Sequence, residues 1–425
     1  MKKLGLMALA AVLVVAFTVP AWAMESQFGG YWRTRMWMQE NFTGEDETEA
    51  EDLMAVDTRT RLYYTAVFHE NLKFVNKFEF DAAWGTEPLG DIGADGKEFE
   101  IKNSYADFNM GPVNAKVGIQ GAKLARGFLF DDDFSGAVVS FNGPGFSIPL
   151  IWMKAWEGGP GKDANDYDVD YYGIAPVFNI GDNIKISPYG LYAYSDNASG
   201  WKQVPALSTV EELNMWFAGV DVDVKFDMFS AWATGIYQGG DATVLGADDI
   251  TRDFAGFLAA AGFDMNMTWG GLHGQFFYAT GQDPEEEDFE RFWVPKGQSY
   301  YWSEIMGYGI FGDTSYANVS NNACYDQISN IMAGNFGVTV KPMGNDVLKI
   351  TLDGWYAALA EDITVNGSDE NYLGTEIDLI ITYQLTKGLN LDIVGAYLIA
   401  GEATTMDHPD EADPYEVGTR LSLSF

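Results

Sequence analysis

The stretch YLGTEIDLIITYQLTKGLNLDIVGAYLIA, residues 372–400, carries the pattern that decides the fold class. Ile377, Leu379, Ile381, Tyr383 and Leu385 fall on one parity, and Glu376, Asp378, Thr382 and Gln384 on the other. Side chains that alternate at a period of two stand on opposite faces of a strand, whereas a helix would group its apolar residues every three to four positions. Thr386-Lys387-Gly388 reads as a tight reversal, after which Leu389, Leu391 and Ile393 resume the alternation against Asn390 and Asp392. The run is an amphipathic hairpin. A soluble sandwich also hides one apolar face, so the destination of this face has to be read from the rest of the chain.

Outward from the hairpin, the same alternation predicts strands over 27–39, 55–68, 72–84, 98–110, 115–123, 134–142, 146–156, 168–180 and 184–194 in the first half. In the second half it predicts them over 214–226, 228–238, 253–266, 268–279, 329–341, 348–358, the two arms of the hairpin, and 415–425. Long polar connections (41–54, 85–97, 125–133, 157–167, 195–213, 239–252, 280–327) take turns with minimal ones such as 69–71, 111–112 and 143–145. About eighteen strands of roughly ten residues, with long and short connections at opposite ends, predict an all-β fold. It is a transmembrane antiparallel β-barrel with short periplasmic turns and long extracellular loops.

The polar parity agrees. Lys73, Lys77, Glu79 and Asp81 share one face, as do Asp221, Asp223 and Lys225, and Lys349 with Asp353. A dry core would pay heavily to desolvate so many charges, so these residues, with Glu376, Asp378 and Asp392, are expected to line a wet lumen. The opposite parity, exemplified by Trp216, Ala218, Val220, Val222, Val224 and Phe226, is expected to face lipid, with Trp84, Trp156, Tyr237 and Tyr397 in the interfacial girdles.

Lys2 and Lys3, an apolar core over 4–19 and Ala21-Trp22-Ala23 read as a secretory signal peptide over residues 1–23, leaving residues 24–425 as an outer-membrane barrel. No other run approaches the ~18 consecutive apolar residues of a transmembrane helix. The formal charge of −37 becomes −39 once the two lysines of the signal are removed (−37 − 2), which argues against nucleic acid as a partner. The single cysteine, Cys324, excludes an internal disulfide, and no Cys-x-x-Cys-His motif or other cofactor signature is present. The chain ends RLSLSF, an alternating strand closing on an aromatic, Phe425. This resembles the terminal strand of bacterial outer-membrane barrels, which the barrel-assembly machinery reads.

With GTEIDLIITYQLTKGLNLDIVGAY at 374–397, this terminal strand, YWRTR at 31–35, DTRTRL at 57–62 and ENLKF at 70–74, the chain resembles the alginate-export-type outer-membrane porins. That resemblance implies an eighteen-stranded monomeric barrel. Those exporters pass a polyanion through an arginine-rich lumen, whereas this chain has eight arginines in all, so the resemblance extends to the fold more than to the cargo.

Five of the eight fall on one wall: Arg33 and Arg35 share the inward parity of the first strand, Arg59 and Arg61 that of the second, and Arg420 that of the last, which pairs with the first if the barrel closes. Guanidinium groups keep their charge and bind carboxylates in a forked geometry. The patch is therefore read either as an attractor of anionic solutes or as a network that holds the closing seam together through acids such as Asp57 and Glu416. Asp131, Asp132 and Asp133, in the third long connection between Phe128, Phe130 and Phe134, are either constriction acids on an inward loop or an outward acidic tip. The acidic runs 45–52, 283–290 and 407–413 suit weak divalent contacts with neighbouring lipopolysaccharide, and none has the ligand spacing of a dedicated metal site. His69, His273 and His408 are scattered, and no nucleophile elbow or phosphate-binding loop accompanies them, so no enzyme is expected.

The sequence thus points to a water-filled channel for passive diffusion of small polar or charged solutes, embedded in outer-membrane lipid and needing no cofactor. The alternative is a barrel sheath around a periplasmic multihaem cytochrome.

Overall fold

In the computed structural model, the described residues are 24–42, 44–46, 53–86, 98–157, 168–196, 198, 210–244, 250–312 and 326–425. The proposed signal peptide and Cys324 lie outside them. The first half contributes β1 (Glu25–Glu40), β2 (Leu53–His69), β3 (Leu72–Ala83), β4 (Glu98–Met110), β5 (Val113–Leu124), β6 (Phe130–Gly143), β7 (Phe146–Trp156), the interrupted β8 (Val169–Ile174 and Val177–Ile180) and β9 (Ile184–Ser195). The second half contributes β10 (Val210–Phe226), β11 (Phe229–Val244), the interrupted β12 (Ile250–Asp253 and Phe257–Met267), β13 (Gly270–Ala279), β14 (Ile331–Val340), β15 (Leu348–Val365), β16 (Ser368–Thr386), β17 (Leu389–Ala400) and β18 (Tyr415–Ser424).

Every strand pairs antiparallel with its neighbours in sequence, and β18 pairs with β1 from Tyr31–Ser424 to Glu40–Tyr415. The result is a closed antiparallel barrel of eighteen strands. The interruption in β8 falls at Ala175-Pro176, where proline has no N–H to give the ladder. At the seam, Gly30 exchanges backbone hydrogen bonds with Phe425, and a Cβ at Gly30 would lie 2.5 Å from the Phe425 ring. Only glycine fits there.

The exterior is apolar along the predicted parity: Val220, Phe226, Leu352, Ile377, Leu379, Ile393 and Tyr397 are all exposed. So are Trp84, Trp156 and Tyr237, toward the rim of long connections. An exposed belt this extensive requires a lipid surround.

Three expectations are revised. Residues 359–371, between the strand expected over 348–358 and the hairpin from 372, prolong β15 and β16 into a hairpin beyond the wall, reversing at Asn366 (φ 45°) and Gly367 (φ 91°). That pair has the positive φ values of the tightest hairpin turn. Asp131, Asp132 and Asp133 lie on a strand rather than in a loop. Finally, β5 pairs with β4 only as far as Ile119, and β6 with β7 only as far as Ser135; between them, residues 120–134 pair with each other. This hairpin tip leaves the wall and enters the barrel, where Phe128 and Leu129 are fully buried.

The connection from β13 to β14 enters as well. Its described parts are residues 280–312 and 326–330, and the first buries Phe292, Ile305, Met306 and Phe311 completely. The two intrusions pack on each other: Asp131 N–H donates to Gly297 O (2.7 Å), Gln298 Nε2 to Phe128 O (2.6 Å), and the Phe128 and Tyr300 rings stack at 3.7 Å. A Cβ on Gly127 (φ 103°) would overlap Ser299 O, so the contact needs glycine twice over. The core of this protein is the inside of the barrel.

Candidate functional site in the barrel lumen

Register builds the arginine wall. Across β1, β2 and β18, Arg33 stands opposite Arg59, and Arg35 stands opposite both Asp57 and Arg420. The five arginines are brought together, and acids accompany them. Arg35, fully buried, forks onto Asp57 with Nε at 3.0 Å, and its Nη1 donates to Ile310 O of the inward connection at 2.5 Å. Arg59 pairs with Asp81 (2.6 Å) and Glu79 (3.4 Å), Arg61 pairs with Glu79, and Arg420 donates to Asp392 at 2.9 Å. Arg35, Arg59, Arg61 and Arg420 are each held by a carboxylate, with Asp81 and Glu79 in place of the acids expected for Arg59 and Arg61. Glu416 accepts from Gln39 (2.9 Å).

Between this wall and the inward hairpin lies a chamber of about 860 Å³. Arg59, Arg61, Lys77, Lys102, Lys116, Lys123 and Lys296 line it together with Glu79, Glu100, Asp131, Asp132, Asp133 and Asp326. Asp133 sits 3.2 Å from Lys102, and Asp131 sits 2.7 Å from Lys123. The acid triplet thus faces this chamber. Lys77, Lys116 and Lys296 form no ion pair with any described residue.

A second chamber of about 750 Å³ opens on the far side of the hairpin, against β9–β11. There Arg126, at the tip (φ 60°), pairs with Asp223 of β10, and its guanidinium lies 4.6 Å from the centre of the Trp232 ring. Lys185 shares Asp223 at 3.1 Å. The hairpin tip is therefore pinned inside the lumen to the wall made by β10 and β11.

A third, smaller chamber of about 240 Å³ sits against β12–β16. His273 Nε2 and Asn335 Nδ2 both reach Asp353 Oδ1, at 2.9 and 2.6 Å. Asp378, Asp264, Glu304, Trp232, Phe263, Trp302 and Trp355 also line it.

Glu376, Asp378 and Asp392 were expected to line water; each is almost fully buried instead. Glu376 accepts from Ser303 Oγ (3.0 Å), Ile305 N (2.7 Å) and Met306 N (2.9 Å), and Asp378 accepts from Glu304 N (3.3 Å). Two carboxylates of the opening hairpin thus seat the inward connection, and Phe311 stacks on Trp37 of β1 (5.7 Å, 7°) at its far end. Burial, reinforced by the nearby Glu376, pushes the Glu304 carboxyl up to about 7, against the pull of its hydrogen bond from Ile310 N (2.6 Å). Lys73 and Lys349 stand near the short-turn end, outside these chambers.

Sequence reasoning did not single out Arg126, Lys102, Lys116, Lys185, Glu304, Trp232, Trp302 or Trp355. One signal was available: residues 292–311 hold Phe292, Trp293, Tyr300, Tyr301, Trp302 and Phe311, too many aromatics for a segment bathed in water.

No protein-family model matches this chain, and no curated protein is detectably related to it by sequence. Its fold is similar to solved structures. The outer membrane protein OpdK of Pseudomonas aeruginosa superposes with a TM-score of 0.58 at 11% identity, covering 94% of this chain and 98% of that one. OccK11 (OpdR) of the same organism gives 0.55 at 12% identity, covering 94% and 96%. OccAB4 of Acinetobacter baumannii gives 0.56 at 10% identity, covering 96% and 100%. At these identities the likeness establishes a shared eighteen-stranded barrel architecture.

Proposed function

We propose that the protein is a bacterial outer-membrane porin, a non-enzymatic channel for diffusion of small polar or charged solutes. The observation that carries this reading is the charged chamber of about 860 Å³ inside a barrel with an apolar coat. Three of its lysines have no ionic partner among the described residues and offer charge to a passing solute. The facing acids on the hairpin set a transverse field that orients dipolar solutes. The architecture shared with outer-membrane proteins supports the location, and lipid and lipopolysaccharide are the surrounding partners. Phe425, exposed at the end of the closing strand, is offered to the assembly machinery. The kinship with alginate-export-type barrels is kept for the chain's two ends alone. Passage of a polymer is not part of the proposal, because two intrusions divide the lumen. For the same reason the cytochrome-sheath alternative loses support: the aromatic cluster of Phe128, Phe277, Tyr300 and Trp302 occupies the bore that a partner would need.

The test is conductance of the purified protein in planar bilayers. Discrete ionic steps are expected. A triple variant, Lys77→Gln with Lys116→Gln and Lys296→Gln, is expected to shift relative permeability toward cations by roughly tenfold at low salt, less at high salt. A barrel that passes no ions overturns the proposal.

A further inference from the structure

The third chamber differs from the other two in chemistry. No lysine or arginine lines it, while Asp264, Asp353, Asp378 and Glu304 do. Its walls are indole and phenyl rings: Trp302 and Trp355 meet at 69° with centres 5.2 Å apart, and Trp232 and Phe263 close the other side. Ring faces carry negative potential and attract cations, tryptophan most strongly. Trp232 already holds Arg126 in this way within the second chamber.

The cavity is built rather than left over. A Cβ on Gly337 would overlap both Asp353 Oδ1 and His273 Nε2, and one on Gly262 would lie 2.6 Å from the Trp232 indole. Two glycines of the wall thus make room for the bridge and for the ring. Asp378 is 3% exposed, and its Oδ1 has no hydrogen-bond partner in the structure although its Oδ2 does. A buried carboxyl oxygen left in that state is a polar position open to a ligand. A metal ion does not fit: among the described residues, the only three acidic or histidine groups within metal-ligand range of one another are the exposed Glu402, Asp407 and Glu411 at the rim. The volume, about 240 Å³, is below the ~300–1,000 Å³ of drug-sized sites.

We propose that this chamber is a binding site for a small alkylated ammonium ion, its methyl groups against Trp302, Trp355 and Trp232 and its charge met by Asp264, whose side chain makes no hydrogen bond to a described residue. Aromatic walls suit a poorly hydrated cation with carbon on its surface, and a carboxylate beyond the rings supplies charge without needing to coordinate it. The chamber then selects by the nature of the cation.

The test uses the full-length protein in detergent, titrated calorimetrically with tetramethylammonium chloride and followed by tryptophan fluorescence, with sodium chloride as the control. Saturable binding that sodium does not displace is expected. Trp355→Leu is expected to weaken it by roughly tenfold. Should that variant fail to fold, Asp264→Asn carries the test, since the Asp264 side chain makes no hydrogen bond to a described residue; roughly tenfold weakening is again expected. Heat no greater than the sodium control, or unchanged affinity in Asp264→Asn, overturns the inference. Binding is read without a membrane, so a barrel silent in bilayers but saturable by tetramethylammonium sinks the channel reading and leaves this site standing.

Discussion

The wall made by β1–β5 and the wall made by β12–β16 obey the same rule of alternation, yet they became different places. On the first, acids and bases of adjacent strands face each other across the ladder: Arg59 beside Asp81, Arg61 beside Glu79. Charge is balanced locally, the surface stays wet, and some lysines remain for solute. On the second, acids face acids, Asp353 beside Asp378. That surplus is met from elsewhere in the chain, by backbone N–H groups and Ser303 of the inward connection. The difference teaches that inward parity marks a residue as polar-facing, whereas cross-strand partners decide whether it meets solvent or a piece of its own protein.

The strongest way to break this comparison is Glu376→Ala. Ser303 Oγ, Ile305 N and Met306 N would lose their acceptor together, and buried donors left unmade cost ~1–3 kcal/mol each, so docking of residues 303–311 is expected to fail. Single-channel conductance should rise and the connection should become cleavable by protease. Unchanged conductance and protection would show that the acidic wall is not the anchor.

Acidity probes the same contact more gently. The Glu304 carboxyl, raised by burial from its ordinary 4.5 to about 7, sits among Glu376, Glu416, Asp353 and Arg420 when docked. The docked state holds the proton more tightly than an undocked loop would. Docking is therefore firmest below pH 4.5 and weakens as pH rises toward 7, by on the order of 3 kcal/mol in all. Conductance should increase over that window, and Glu304→Gln should flatten the profile; a profile unaltered by that substitution would remove Glu304 from the account.

The mixed-charge wall predicts smaller effects. Removing Asp133 leaves Lys102 without its 3.2 Å partner and should favour anions a few-fold in bilayer selectivity at low salt, the opposite of the lysine substitutions above. A double-mutant cycle on Lys123 and Asp131, an exposed pair, should return a coupling of no more than about 1 kcal/mol. A coupling several times larger would mean that the hairpin is held by its charges rather than by Phe128 and Leu129.

Much of the barrel was legible in one dimension. Period-two alternation in a run such as 372–400 is a local property, and so is the long-short rhythm of connections, because strand direction and wall position follow directly from both. The pairing of β18 with β1 was legible from barrel closure, and in the structure it sets Arg33, Arg35, Arg59, Arg61 and Arg420 on three adjacent strands. Their pairing was not legible, since a fork such as Arg35 on Asp57 depends on a register of hydrogen-bonded strands that alternation leaves free by even steps.

What the sequence by itself determined is therefore the wall: which residues face lipid, which face inward, and roughly where each strand reverses. Only the tertiary structure decided what fills the wall. Residues 125–133 and 280–327 read as connections, and a connection carries no periodicity to say whether it turns outward or in. Their direction is set by contacts far apart in the chain, Phe128 on Tyr300, Arg126 on Asp223 and Glu376 beneath Ile305 and Met306, whose free energy exists only once the barrel has closed around them.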